Sequence, residues 1–178
     1  GSPGADGDGD GGGTTGLAGG GGGHYGVGMS ASDGCSSDLE NQGSAFASDD
    51  STTLTMGGGG AGGIDGKGGK GGGAVSITTD MLRLEGLISA SGGNPKGSIS
   101  KRDGGAGAGG MIVLDAVNFT CANSARLDVR GGSGLNASLV GAAGPDALGG
   151  AGGGGKIMVT AELGNAEECL IWYRRRKT

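Results

Sequence analysis

Three aspartates near the start of the chain have the spacing that opens a calcium-binding loop. Asp6, Asp8 and Asp10 alternate with glycine in the sequence DGDGDG. Carboxylate oxygens are ligands that Ca²⁺ prefers, and such loops place them at alternate positions. The glutamate that closes the loop is missing, because its position is Leu17. We therefore expect a solvated acidic segment and no cofactor, with Ca²⁺ at these aspartates as the alternative.

Catalytic chemistry is not indicated by the remaining polar residues. His24 is the only histidine and has no cysteine or serine nucleophile motif beside it. We expect a structural or an exposed imidazole there. A polysaccharide-acting enzyme would need convergent carboxylates. The Asp and Glu residues are instead scattered with no repeat-aligned set. The sequence predicts that the protein is not an enzyme.

The three cysteines, Cys35, Cys121 and Cys169, are candidates for disulfide formation. Their spacing contains no CxxC pair, which argues against a zinc site or a thioredoxin-like motif. In an oxidising compartment we expect one disulfide and one remaining thiol, which could pair between chains. The alternative is three inert buried thiols.

Two triplets fit the acceptor pattern for N-linked glycans. They are Asn118-Phe119-Thr120 and Asn136-Ala137-Ser138. We place both in connections between strands, where a bulky sugar fits. Asn118 and Asn136 are therefore candidate glycosylation sites of a secreted protein.

The glycine content limits how this chain can form a core. Glycine accounts for 50 of 178 residues and aromatic residues for 3%. Glycine brings no side chain to bury, and ordering a chain of this length costs on the order of 200–300 kcal/mol. A conventional apolar core is not expected. Either the glycine runs are disordered, or they pack backbone to backbone with main-chain hydrogen bonds replacing side-chain burial.

The charge and hydropathy of the chain exclude two classes of partner. The formal net charge is −5, whereas nucleic-acid binding favours a basic surface. No apolar run approaches the roughly 20 residues of a membrane-spanning helix. We expect neither a nucleic-acid partner nor a membrane span in this chain.

A repeated plan of glycine run, strand, turn and strand organises the second half of the chain. Glycine runs end at Gly73, Gly110 and Gly155, and each is followed by apolar residues at alternate positions. Aligned on these runs, the inward pairs are Val75/Ile77, Ile112/Leu114 and Ile157/Val159. The second strands align as residues 87–90, 126–129 and 170–173. One helical turn is conceivable only over residues 79–84.

Repeats of one plan with connections of unequal length are typical of solenoids. We therefore predict an all-β, glycine-rich parallel β-helix or solenoid-like fold, to which packed polyglycine II helices could be added. The predicted domains are a glycine- and Asp-rich N-terminal segment (1–30), a polar Ser/Thr/Asp-rich loop (31–56) and the β-solenoid repeats (57–178).

The repeats resemble a known group of sequences. The run GGGAVSITTDMLRLEGLISASGG is similar to glycine-rich extracellular β-helix-like repeat proteins of plants and protists. The matching residues of its end are Gly86, Ile88, Ser89, Ala90, Gly92 and Gly93. An upstream segment is similar through His24, Gly26, Gly28 and Cys35. The second repeat departs from the pattern at residues 127–130. A second resemblance is to glycine-rich phage tail-tip adhesins with polyglycine helices packed side by side.

These observations predict an extracellular structural protein of the cell surface. We expect it to assemble into a filament, hair or cell-wall layer by self-association or with related subunits, since the end rungs of a thin solenoid offer open edges. The alternative is an adhesin or carbohydrate-binding tip protein that binds glycans through residues 31–55 and 94–103.

Overall fold

The computed structural model describes residues 7, 13, 19–29, 31, 42–46, 53–63, 66–97, 104–134, 149–164 and 170–172. Eight strands lie in these ranges: β1 (Gly66–Lys67), β2 (Ala74–Leu84), β3 (Leu87–Ser89), β4 (Lys96–Gly97), β5 (Met111–Cys121), β6 (Arg126–Asp128), β7 (Lys156–Gly164) and β8 (Leu170–Trp172). In this part of the chain, no helix has the length and apolarity that crossing a bilayer requires.

The long and short strands of the repeats form two parallel sheets. The first sheet has the order β2-β5-β7 and the second has the order β3-β6-β8. Strands β1 and β4 form a separate antiparallel pair. In the first sheet, Val75, Ile112 and Ile157 lie in one row. The alignment of the three repeats that the sequence predicted is therefore confirmed.

The apolar core lies against the central strand β5. Ile112, Leu114, Phe119 and Cys121 are buried there with residues of β6 and the adjoining turn, including Leu127. The alternation of buried and exposed side chains along β5 shifts by one residue near Val117, which is exposed. The pairing of β5 with both neighbouring strands is also interrupted at Val117. The interruption therefore lies in one row across all three long strands.

The single helical turn that the sequence would have allowed over residues 79–84 does not form. Strand β2 runs without a break from Ala74 to Leu84. Its last residues pair with β5, Leu82 opposite Phe119 and Leu84 opposite Cys121. Pairing with a neighbouring strand thus outweighs the weak local preference for a turn.

The glycine runs form a second layer of structure outside the sheets. Its centre is the tract 104–110, whose amides donate in turn to three different neighbours. The donor–acceptor pairs are Gly105–Ala61, Ala106–Gly150, Gly107–Gly93, Ala108–Gly58, Gly109–Gly153 and Gly110–Ala90. Every third amide therefore faces the same neighbour. Three residues per turn is the period of an extended polyproline-II helix.

Six tracts surround the central one in a closed ring. In order around it they are residues 19–23, 57–61, 68–72, 90–93, 131–134 and 149–153. Each exchanges at least one backbone hydrogen bond with the central tract and one with each neighbour in the ring, counting Arg130 with the fifth tract. We call this arrangement the glycine bundle. Main-chain hydrogen bonds hold it together where side chains are absent.

Glycine is required in the bundle because the backbones approach so closely. A Cβ at Gly105 would overlap the carbonyl oxygen of Gly20, and one at Gly107 would overlap that of Lys70. Left-handed backbone is not the reason, because Gly164 is the only described residue with positive φ. Of the two fates considered for the glycine runs, backbone-to-backbone packing is thus found for the described ones.

The predicted β-helix or solenoid is wrong. Each sheet has three strands, and the described chain forms no closed coil or barrel. After β3 and after β6 the chain enters the glycine bundle, where one tract bonds to tracts of several repeats. Rungs of a solenoid would contact only the rungs above and below. Hydrogen bonds among glycines leave no side-chain pattern, so the sequence did not reveal these routes.

Candidate functional site

Among the described residues, the two ends of the sheets are open edges. Strands β2 and β3 lie at one end, and β7 and β8 lie at the other. Within the described residues each of these strands pairs on one side only. Unpaired strand edges are templates for pairing with another chain. We call the β2/β3 end the first edge and the β7/β8 end the second edge.

The core is incompletely covered at both edges. On the central strand, Ile112 and Leu114 are fully buried. Their counterparts in the same rows, Val75 and Ile77 on β2 and Ile157 and Val159 on β7, are only partly buried. A further strand at either edge would bury more of these side chains and extend the core.

Large apolar side chains are also exposed at the edges. Met81 on β2 is 76% exposed and Leu163 on β7 is 64% exposed. Both pair with the same residue, Asn118 of β5, so they occupy one row at opposite ends of the first sheet. Leu87 on β3, at the first edge, is 63% exposed. These residues mark the edges as apolar contact surfaces.

A polar groove lies on the outside of the glycine bundle, between the ring tracts 90–93 and 131–134. Its volume is about 460 Å³, and it is lined by Ser91, Gly92, Asn94, Arg130, Gly131, Gly132 and Ser133. The walls are joined by two hydrogen bonds. Gly92 N–H donates to the Arg130 carbonyl at 2.8 Å, and Ser133 N–H donates to Asn94 Oδ1 at 2.8 Å. Their spacing is therefore fixed by the fold.

A bidentate ion pair holds Arg130 beside this groove. Arg130 Nε lies 2.9 Å from Asp128 Oδ1 and Nη2 lies 2.7 Å from Oδ2. The Arg130 backbone N–H also donates to Oδ1 at 3.0 Å. These hydrogen bonds lower the pKa of the buried Asp128 carboxyl, although burial opposes the shift. The sequence marked this place only as a departure from the repeat pattern.

His24 is fully buried, in agreement with the structural alternative rather than the exposed one. Its Nε2 lies 2.8 Å from Thr55 Oγ1, and its ring meets Phe46 edge to face with centroids 5.0 Å apart. Nδ1 is buried and has no hydrogen-bond partner among the described residues. Burial, and secondarily the charge of Lys156, lowers the pKa of His24. The ring is therefore neutral in the folded protein at neutral pH.

The remaining candidate residues are only partly described. Cys121 is disulfide-bonded. Asn118 lies within β5 and not in a connection, so that placement of its glycosylation triplet was wrong. The strand includes the triplet because Phe119, its middle residue, is buried in the core. The other candidates lie outside the described residues: Cys35, Cys169, Asn136, Asp6, Asp8 and Asp10.

No group of three metal-binding side chains comes together among the described residues. Comparisons with protein families, curated proteins and solved structures found no match. The resemblances to extracellular repeat proteins and to tail-tip adhesins therefore stay predictions.

Proposed function

We propose that this protein is an extracellular structural protein whose copies stack end to end, edge against edge, into a filament or surface layer. The observation that carries this proposal is the pair of open, apolar sheet edges. The second edge of one copy would pair with the first edge of the next. Such a head-to-tail contact does not close on itself and generates an open assembly.

The residue types along the two edges support this pairing. If β7 of one copy lies beside β2 of the next in the register that β5 uses, Ile157 meets Val75 and Val159 meets Ile77. The same register places Leu163 beside Met81. Cross-strand pairs of β-branched and long apolar residues stabilise a sheet. The contact would bring exposed apolar side chains of both edges together.

An extracellular location is supported by the disulfide at Cys121. Structural disulfides form and persist mainly in oxidising compartments. Stacking outside the cell would also need no cofactor or energy source, because the edges supply both donors and acceptors.

The test is to place charge at the edge contact. We expect Met81→Lys to weaken association by about ten-fold, because burying a methionine side chain contributes about 1.5–3 kcal/mol and a lysine cannot replace it. Sedimentation velocity over a concentration series and electron microscopy of the native protein measure this effect. The matched control is Val117→Lys, since Val117 is 44% exposed but lies on the central strand.

A charge pair distinguishes head-to-tail stacking from other contacts. We expect Met81→Lys with Leu163→Lys to abolish association and Met81→Lys with Leu163→Glu to restore it, since opposite charges would then meet between copies. A protein that stays monomeric at high concentration would contradict the proposal. Equal association of all variants would contradict it as well.

The alternative, an adhesin or carbohydrate-binding tip, stays a prediction. Most of the two loops that carried it, residues 31–55 and 94–103, lies outside the described residues. Only Asn94 of the second loop reaches the polar groove.

A further inference from the structure

The outside of the glycine bundle has a groove of the same kind as the polar groove, and there the chain itself fills it. Residues 26–29 lie between the ring tracts 19–23 and 149–153. Gly21 N–H donates to the Met29 carbonyl at 2.9 Å, Met29 N–H donates to Ala151 at 2.8 Å, and Gly26 N–H donates to Gly154 at 3.0 Å. An extended segment thus continues the packing pattern of the bundle by one position.

Glycine at alternate positions lets this segment fit. A Cβ at Gly28 would overlap the carbonyl oxygen of Gly21, and one at Gly26 would lie 3.2 Å from the Gly154 nitrogen. The residues that alternate with these glycines, Tyr25, Val27 and Met29, are exposed. A segment that packs on the bundle therefore needs glycine on its inner side and tolerates large residues on its outer side.

The polar groove is the corresponding position between the tracts 90–93 and 131–134, and no described segment occupies it. Its walls present backbone groups that have no hydrogen-bond partner among the described residues. They are the Gly131 N–H and the carbonyl groups of Ser91, Gly92 and Gly131. The groove thus offers both donors and acceptors to an extended backbone, as the filled groove does.

We propose that the polar groove binds an extended, glycine-alternating segment of a second copy of this chain. The second copy is the favoured source because this chain already supplies such a segment to the equivalent groove of its own bundle. The inner side of the incoming segment must lack Cβ atoms, which this chain offers with 50 glycines in 178 residues. The contact would be lateral and is independent of the sheet edges.

The test uses a synthetic peptide of residues 19–29, GGGGGHYGVGM, and the full-length protein labelled with ¹⁵N. We expect saturable shifts of the amide signals of Gly131, Gly92 and Ser133. A control peptide with alanine in place of Gly26 and Gly28 should bind at least about ten-fold more weakly, because its methyl groups keep the backbones apart.

A variant of the protein provides the second comparison. Ser91→Phe should weaken binding of the peptide by a similar factor, because Ser91 is exposed and lines the groove. Ser76→Phe, at an exposed position on β2, should leave binding unchanged. Unshifted amide signals of β7, which contacts neither Ser91 nor β2, show that the fold is intact in both variants.

The proposal fails if the peptide gives no saturable shifts, if the alanine peptide binds equally well, or if the shifts lie away from the groove. It also fails if a neutral oligosaccharide such as chitohexaose binds there and the peptide does not. Because all measurements can be made with Met81→Lys protein, they do not depend on stacking at the edges.

Discussion

A hydrogen atom in place of a methyl group at Gly107 allows the central tract to pass the Lys70 carbonyl. The same requirement recurs around the ring, where Cβ atoms would meet backbone rather than flexible side chains. Backbone cannot move aside without breaking hydrogen bonds to other tracts. A single added methyl group therefore acts like overpacking in an apolar core.

We expect Gly107→Ala to lower the free energy of unfolding by about 3 kcal/mol or more, because the new Cβ meets the Lys70 backbone on a rigid neighbour. The control is Gly73→Ala, where a Cβ would meet nothing within 4 Å. That change should be neutral or stabilise by up to about 1 kcal/mol. Urea unfolding of both variants measures the difference. Equal effects would show that the tracts are not packed as described.

His24 gives the stability of the fold a pH dependence. Its pKa in the folded protein is lowered below the ordinary value of 6.5 by burial. Well above pH 6.5 neither the folded nor the unfolded chain is protonated at this residue, so its contribution is fully present. As the pH falls, the unfolded chain takes up the proton first. Stability is then lost until the pH has passed through the folded pKa.

Thermal unfolding between about pH 7 and pH 5 measures this loss, which cannot exceed about 1.4 kcal/mol per pH unit for one group. We expect His24→Gln to flatten the slope in that window. The stability that Asp128 contributes is lost only as the pH falls below the ordinary aspartate pKa of 3.8, so it does not affect the slope between pH 7 and pH 5. Direct NMR titration of the only imidazole provides a check, and a pKa at or above 6.5 would contradict the account.

Among the elements, the starts and the register of the repeat strands were predictable, whereas the full length of β2 and the connections were not. Alternating apolar residues after Gly73, Gly110 and Gly155 fixed the register of β2, β5 and β7, since a slip of one residue would expose Ile112 and Leu114. The route between repeats was not visible. A glycine that bonds to one tract is the same in sequence as a glycine that bonds to another.

The candidate sites likewise divide into features that the sequence could reveal and features that it could not. Arg130 and Asp128 were noticed only because they break the repeat pattern. Met81 and Leu163 could have been found by asking which apolar residues fall on outward positions once the repeats are aligned. The polar groove could not have been found from the sequence, because its walls are mostly backbone, and every residue has the same backbone groups.

The disulfide at Cys121 is expected to join the end of β5 to the start of β8. We predict Cys169 as its partner, because Leu170, the next residue, pairs with Arg126 just beyond the turn that follows Cys121. Mass spectrometry of unreduced proteolytic fragments identifies the bond. A link between Cys121 and Cys35 would contradict this prediction. Cys121→Ser should cost about 2–4 kcal/mol of stability.

In the whole molecule, two kinds of packing share one chain. The sheets enclose a small apolar core, and the glycine bundle is held by a network of main-chain hydrogen bonds in which each tract has several neighbours. Opening the central tract would break hydrogen bonds to all six tracts around it. The bundle should therefore open as one unit with the global fold.

Hydrogen exchange tests this cooperativity. We expect the amides of Gly105, Gly107 and Gly109 to exchange only through global unfolding, at rates that follow the measured stability. The Gly131 amide, which has no hydrogen-bond partner among the described residues, should exchange orders of magnitude faster. Exchange of the central amides at the rate of a free peptide would show that the glycine runs are a flexible spacer.

The threefold alternation of donors in residues 104–110 also limits how the length of this tract can change. Inserting one residue would rotate all later amides by a third of a turn, and each would face a neighbour that already has its partners. Inserting three residues would restore every orientation and only lengthen the tract. Homologous chains should therefore gain or lose residues of this tract three at a time, because three residues make one full turn.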